Sequence, residues 1–233
     1  MSSEGPTPPA TALTRPWCLP ARGLAVFHGE CDAPRLSHYF LPRLVLEGKR
    51  ILFLDGANCA NPRLMARLAE RRGTPFAQIS RQIKIARAFT CFQLTELIHR
   101  VPQFLAEFPA QVLMVTAFPE LYFDEDVRHA DAKAAFQQAL EALTIADGRL
   151  TVGPLDLRQS NSIGNRQSSI INGWPPAVAL FSAASRFQPP AGRKFFFAAT
   201  CAAATELWRF EVDAQGRLGL AQHGAAMKAI NSG

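Results

Sequence analysis

Apolar runs that end at a polar residue recur along the chain and predict the buried strands of an α/β domain. Ile51 to Leu54 is followed by Asp55, and Val112 to Val115 is followed by Thr116. Apolar runs without alternation are typical of parallel strands that are covered on both faces. We therefore expect both runs to be central, mostly parallel strands, and Ala177 to Phe181 to be a further short strand.

The intervening segments carry helical patterns and predict the layers that cover these strands. Leu64 to Arg72 and Phe92 to Val101 are expected to be covering helices. Asp131 to Leu143 is rich in good helix formers and is expected to be a third helix. Its apolar positions near helical spacing are Ala134, Leu140 and Leu143.

The C-terminal third predicts additional strands. Leu150 to Leu157 is a short strand candidate, and Phe195 to Ala199 is expected to pair with Leu207 to Val212. A turn is expected over residues 213–216, where Asp213 and Gly216 flank polar positions. An antiparallel extension at the C-terminal end of the domain follows from this pattern.

Length and composition indicate one folded domain. A chain of 233 residues with 48% hydrophobic residues can hold a full core. We expect a disordered leader over 1–16, a domain over 17–225 and a flexible tail over 226–233, and a cytoplasmic location because no apolar run is long enough to span a bilayer. The five scattered cysteines favour free buried thiols, and no metal site is expected.

The segment after the first apolar run aligns poorly with a phosphate-binding loop. On the pattern G-x-x-x-x-G-K-[ST], Gly29 takes the first glycine, and Pro34, Arg35 and Leu36 take the second glycine, the lysine and the hydroxyl residue. Proline has no N–H for a phosphate, and leucine cannot hold Mg²⁺. Arginine supplies a planar fork where a compact ammonium is needed. These residues indicate a degenerate nucleotide site.

The order of the motifs resembles the ATPase core of the RecA/RadA strand-exchange recombinases, most closely the archaeal and eukaryotic branch. Asp55 and Pro62 keep the spacing of that branch's I-D-T-E-G-T-F-R-P-E-R segment, and Ala86-Arg87-Ala88-Phe89 matches its A-R-A-F motif. The resemblance covers roughly residues 24–123, with a weaker similarity near the C-terminus. It implies a RecA-like three-layer fold, with a mostly parallel central sheet, helices on both faces and a C-terminal antiparallel extension.

The same resemblance implies that ATPase chemistry is lost. The position of the family's water-activating glutamate is Ala57, and the position of its Mg²⁺-supporting aspartate is Thr116. Phosphoryl transfer depends on positioning and charge stabilisation by such groups. We therefore expect no ATP hydrolysis and no cofactor.

DNA contact is a further expectation of the resemblance, because a loop in a similar chain position of RecA-like recombinases contacts single-stranded DNA. Here the loop over 159–175 has no acidic residue, and the formal charge of +6 is compatible with a nucleic-acid partner. An ordinary surface loop whose tryptophan packs on the domain is the alternative. The candidate DNA-binding residues are Arg158, Arg166, Trp174, Arg193 and Lys194.

Together these expectations predict an inactive accessory or regulatory factor in DNA recombination, repair or mutagenesis. A protein partner is expected, with single-stranded DNA as a second candidate and no membrane contact. One alternative is a nucleotide-binding sensor or ATPase whose rearranged phosphate loop uses Arg35 and Ser37. Another is a structural partner that caps or blocks a recombinase filament.

Overall fold

The computed structural model describes residues 18–29, 32–145, 175, 177–186, 189–190 and 192–223. The expected leader over 1–16, the expected strand over 150–157, nearly all of the loop over 159–175 and the tail over 226–233 lie outside the described residues. The strands are β1 (Gly23–Gly29), β2 (Ile51–Asp55), β3 (Ile83–Arg87), β4 (Val112–Thr116), β5 (Ala177–Ser182), β6 (Glu206–Val212) and β7 (Leu218–His223). The helices are α1 (Ala33–Leu36), α2 (Leu41–Leu46), α3 (Pro62–Glu70), α4 (Phe76–Arg81), α5 (Cys91–His99), α6 (Val101–Glu107), α7 (His129–Ile145) and α8 (Lys194–Ala203).

The strands form one seven-stranded sheet in the order β3-β2-β4-β5-β1-β6-β7. Strands β1 to β6 run parallel, and β7 is antiparallel to β6. The expectation of an α/β fold with a mostly parallel sheet and a C-terminal antiparallel extension is confirmed. In the register of β2 with β4, Asp55 lies opposite Thr116, so both polar residues end their strands at the same edge of the sheet.

Helices cover both faces of the sheet and divide the core into two clusters. Helices α5, α6, α7 and α8 contribute to the cluster that contains Leu24 and Val26 of β1. Helices α2, α3 and α4 contribute to the cluster that contains Ala25 and Phe27. Alternate residues of a strand point to opposite faces, so β1 supplies both clusters. Strands β2 and β4 are buried along their whole length, as their apolar runs predicted.

The prediction of a strand over Phe195 to Ala199 is wrong, because this segment lies within helix α8. Phe196 and Thr200 are its buried residues, four positions apart on one helical face. Strand β6 pairs with β7 instead, and the predicted turn over 213–216 joins them. The Asp213 carboxylate accepts hydrogen bonds from the N–H groups of Gln215 and Arg217 within this turn.

The predicted helices are present, with differences in detail. The expected helix over Phe92 to Val101 is divided into α5 and α6, which begins with Val101-Pro102. Helix α7 covers the expected 131–143, but Ala134 is exposed rather than on its apolar face. The buried residues of α7 are Ala132, Ala135, Phe136, Ala139 and Leu143. No helix among the described residues is long and apolar enough to cross a membrane.

Candidate functional site

The candidate site lies beyond the carboxyl ends of the parallel strands, where α/β proteins usually bind ligands. Gly29 ends β1, and Asp55 and Thr116 end β2 and β4. Residues 30 and 31 lie outside the described part of the chain, and the following residues form the single-turn helix α1. The Asp32 side chain caps α1 by accepting a hydrogen bond from the Arg35 N–H.

Gly29 has a packing role in this structure. A Cβ atom at Gly29 would lie 2.7 Å from the carbonyl oxygen of Phe210 on β6, which is too close for any side chain. Its own carbonyl accepts a hydrogen bond from the Ser185 hydroxyl at 2.6 Å. The close approach of β6 therefore accounts for glycine at this position without a phosphate ligand.

The residues aligned with the rest of the phosphate loop differ in exposure. Pro34 is buried, Leu36 is partly buried against the second core cluster, and the Arg35 side chain is 75% exposed. The Arg35 guanidinium pairs with Asp32, with 3.1 Å between Nε and Oδ2. Arg35 is therefore the most exposed member of this set.

Asp55 is fully buried and holds the β2–α3 loop against the sheet. Its Oδ1 accepts hydrogen bonds from the Cys59 N–H at 2.9 Å and the Thr116 hydroxyl at 3.2 Å. Its Oδ2 accepts one from the Ala60 N–H at 2.9 Å and pairs with the Arg87 guanidinium, with 3.5 Å between Oδ2 and Nε. Both carboxylate oxygens are thus satisfied by the protein, as a buried charge requires.

The positions aligned with the general base and the metal-supporting acid are next to this carboxylate. The Ala57 N–H donates to the Thr116 hydroxyl oxygen at 3.2 Å, while that hydroxyl donates to Asp55. Ala57 offers no proton acceptor on its side chain, and the Thr116 hydroxyl is engaged on both sides. We define these residues with their partners as the Asp55 network: Asp55, Ala57, Cys59, Ala60, Arg87 and Thr116.

Two side chains connect this loop to the segment after α1. The His38 Nδ1 lies 3.0 Å from the Arg35 carbonyl oxygen, and its Nε2 accepts a hydrogen bond from the Asn61 N–H at 3.2 Å. This pairing fixes the Nδ1–H tautomer, and burial lowers the pKa of His38. The Cys59 thiol donates to the Pro34 carbonyl at 3.4 Å. Burial, followed by the Asp55 charge, raises the pKa of Cys59 to about 12, which keeps this thiol protonated at neutral pH.

An open cleft of about 850 Å³ lies outside these contacts, between α1 and the start of α3. Three arginines line it, and the Tyr39 side chain is 44% exposed at its wall. Asn61 also lines the cleft, where its side chain caps α3 by accepting a hydrogen bond from the Leu64 N–H at 3.0 Å. The arginines are Arg35, Arg63 and Arg67.

The structure places the expected DNA-binding residues in different surroundings, and three of them lie outside its described part. Arg158, Arg166 and Trp174 lie outside the described residues. Arg193 is only 5% exposed, and its guanidinium donates to the carbonyls of Tyr122, Asp124 and Val127. This geometry does not support the prediction that Arg193 contacts DNA, because its N–H groups serve the protein's own backbone. Lys194 is exposed at the start of α8, and its DNA contact stays a prediction.

Metal ligation and disulfide formation find no support in the described part of the chain. No group of three or more His, Cys, Asp or Glu residues there is placed to hold a metal ion. Cys18, Cys59, Cys91 and Cys201 are free thiols, although Cys18 is exposed rather than buried as expected. No known protein-family model matches the chain, and no curated protein matches it either.

Two parts of this site were not predicted from the sequence. The roles of His38 and Arg87 depend on contacts between distant segments, which no local pattern reveals. The arginines of α3 do carry a local signal, because Arg63, Arg67 and Arg71 recur every four residues and so share one face of the helix.

Proposed function

We propose that this chain is a catalytically inactive RecA-like protein that acts as an accessory or regulatory factor in DNA recombination, repair or mutagenesis. The motif order that resembles the RecA/RadA core supports the RecA-like part of this proposal. The Asp55 network is the observation that carries the inactive part. It occupies the strand ends at which an ATPase of this kind would place its base and its metal-supporting acid.

The network is unsuited to ATP hydrolysis for a simple chemical reason. A catalytic carboxylate must be free to orient a water molecule or to support a metal-bound water. The Asp55 carboxylate is fully buried and already accepts three hydrogen bonds and one ion pair. To act on a water molecule, this carboxylate would have to give up these partners while it stays buried, and a buried charge without partners is strongly unfavourable.

The accessory role follows from what such a domain can still do. A domain without hydrolysis keeps its surfaces, and these can engage a protein partner or DNA. The expected partner is an active recombination or repair protein, because that is the process to which the resemblance points. Adding the pure chain to a recombinase of its own host and measuring DNA-dependent ATP hydrolysis tests this role. A change at equimolar chain is expected, and an unchanged rate at large excess would contradict it.

A nucleotide sensor is a second candidate, and the cleft beside Arg35 is the observation that favours it. The cleft is large enough for a nucleotide and carries an exposed aromatic ring and guanidinium groups. The proposed use of Ser37 is less favourable. Its hydroxyl is buried and donates to the Pro34 carbonyl at 2.6 Å, so it does not face a ligand in the cleft.

Thermal unfolding with and without Mg-ATP separates the two candidates. We expect a shift below about 1 °C, because an absent ligand site gives no linkage stabilisation. ATP hydrolysis should likewise stay at the level of a blank. A stabilisation of several degrees that disappears in Arg35→Ala would contradict this expectation and favour the nucleotide sensor.

A further inference from the structure

The outer face of α3 presents arginines that have no acidic partner within the described residues. Arg63 and Arg67 lie within α3, and Arg71 caps its C-terminal end. All three are exposed and lie four residues apart, so they follow one another along a single face. None of them forms an ion pair or a side-chain hydrogen bond with the residues that the structure describes. Glu70 lies on the same face and is also unpaired there.

Several other surface cations of the described chain differ from these in having a carboxylate close by. Such pairs occur on α2, before α7, between β3 and α6 and in the β6–β7 turn. They are Arg43–Glu47 at 2.9 Å, Arg128–Asp131 at 2.7 Å, Lys84–Glu107 at 2.9 Å and Arg217–Asp213 at 2.7 Å. Like charges four residues apart also destabilise a helix by a few tenths of a kcal/mol, roughly 0.2–0.5 per pair. Ion pairing and mutual repulsion therefore give no reason for this row on α3.

The row continues into the cleft of about 850 Å³ beside α1. Arg63 and Arg67 line the cleft together with Arg35 and Tyr39. Guanidinium groups bind phosphate through paired N–H donors, and an exposed aromatic ring offers a face on which a base can stack. We define the arginine surface as Arg35, Tyr39, Arg63, Arg67 and Arg71.

We propose that the arginine surface binds single-stranded nucleic acid, with successive phosphates on the α3 row and a base against Tyr39. With the rise of an α-helix, Arg63 lies about 6 Å from Arg67 and about 12 Å from Arg71 along the helix axis. The whole row is therefore longer than one phosphate group. A polymer of phosphates matches such a row better than a mononucleotide. A stacking face within a cleft favours an unpaired base, because bases in a duplex are stacked on each other.

This inference depends on charge, spacing and exposure, and it does not rest on the RecA resemblance or on the loss of ATPase chemistry. It also differs from the expected contacts through Arg158 and Arg166, which belong to another segment. Its failure would therefore leave the proposed function in place, and the reverse also holds.

Fluorescence anisotropy of the full chain with labelled oligonucleotides of about 16 nucleotides tests the proposal. Parallel samples contain single-stranded DNA, single-stranded RNA and a DNA hairpin duplex, at about 50 mM and about 200 mM salt. The test variant is Arg63→Ala/Arg67→Ala/Arg71→Ala. The matched control is Arg43→Ala/Arg128→Ala/Arg217→Ala, which removes paired arginines, and both variants lower the formal charge from +6 to +3.

We expect the chain to bind single-stranded DNA or RNA more tightly than the duplex. Comparison of the single-stranded DNA with the single-stranded RNA shows which of the two is the preferred ligand. The test variant should lose at least about tenfold in affinity, while the control should lose little. On a single strand, each phosphate contact contributes about 0.7 to the steepness with which the logarithm of the binding constant falls with the logarithm of the salt concentration. With three contacts removed, the test variant should have a slope that is less steep by about 2. The same loss in both variants would show that only net charge matters and would overturn the proposal.

Other results would overturn it as well. No binding at the lower salt concentration would exclude a nucleic-acid surface. Binding that survives in the α3 variant but disappears in Arg158→Ala/Arg166→Ala would assign the contact to the loop. Equal competition by ATP would indicate a mononucleotide site, and equal competition by polyglutamate would indicate an acidic polypeptide partner. Unchanged thermal unfolding of the α3 variant serves as the check that it is folded.

Discussion

The Asp55 network and the arginine surface are close in the chain but differ in how their charged groups are surrounded. In the network, a fully buried carboxylate is matched by N–H groups, a hydroxyl and a guanidinium. On the arginine surface, the exposed guanidinium groups along α3 form no ion pair within the described residues, although Glu70 lies on the same face. A buried charge without partners would cost several kcal/mol, whereas an exposed cation costs almost nothing. The network therefore serves the fold, and the surface is available for binding.

The difference shows that polar groups at the strand ends can be bound by the protein itself while neighbouring charged groups stay exposed to solvent. The Asp55 network closes the β2–α3 loop over its own carboxylate and joins it to β3 through Arg87 and to β4 through Thr116. His38 and Cys59 extend this closure by linking the β2–α3 loop to the residues after β1. The arginine surface lies outside these contacts, so a ligand can reach it without breaking any of them.

The largest expected effect is the loss of stability on removing the central carboxylate. Asp55→Ala leaves two N–H groups, one hydroxyl and the Arg87 guanidinium without their acceptor. We expect a loss of about 3 kcal/mol in the free energy of unfolding, measured with urea. Arg63→Ala should change the same quantity by less than about 0.5 kcal/mol. Similar values for the two variants would contradict the distinction between the regions.

A somewhat smaller effect is expected at the end of β1. Gly29→Ala places a Cβ atom 2.7 Å from the Phe210 carbonyl oxygen and requires β6 to move. Such overpacking costs about 2 kcal/mol, again measured by urea unfolding. An unchanged midpoint would show that β6 gives way easily, and a ligand role would then be the better explanation for glycine at this position.

Glu120 differs from Asp55 because one oxygen of its buried carboxylate is left unpaired within the described chain, and this difference predicts that the stability of the protein depends on pH. Its Oε2 is buried and has no hydrogen-bond partner among the residues that the structure describes, although its Oε1 accepts from the Ala183 N–H. Burial raises the pKa of Glu120 to about 7, above the ordinary value of 4.5 for an exposed glutamate. The folded state then binds the proton more tightly, so the stability contributed by Glu120 is complete below pH 4.5 and is lost as the pH rises through about 7.

Glu120→Gln should therefore be more stable than the parent chain above pH 7 and no more stable below pH 4.5. The shift from 4.5 to about 7 sets a ceiling of about 3 kcal/mol, and we expect about 1 kcal/mol because the amide N–H₂ group stays unpaired. Burial, with the Arg209 charge, lowers the pKa of His28 to about 4, so its contribution is lost in the opposite direction, as the pH falls from 6.5. The variant and parent must therefore be compared at each pH. A constant difference from pH 4.5 to above pH 7 would contradict the assignment to Glu120.

Much of the fold was predictable because buried parallel strands leave a simple pattern. The apolar runs of β2 and β4 are short and unbroken, and both were assigned to the centre of the sheet. The run Phe195 to Ala199 is equally apolar but forms part of α8. A short apolar run fits a strand or a helix, and contacts of Phe196 with Tyr122 and Phe136 decide between them.

The sequence by itself determined which residues stand at the positions where the RecA resemblance would put a phosphate loop and its acids: a proline, a leucine, an alanine and a threonine. It also determined the period of the arginines along α3, because helical geometry converts a four-residue spacing into a shared face. Only the tertiary structure decided what each polar group contacts. The partners of Asp55 come from its own loop, from Arg87 on β3 and from Thr116 on β4. Strand pairing brings these separated residues together, and local sequence carries no record of that pairing.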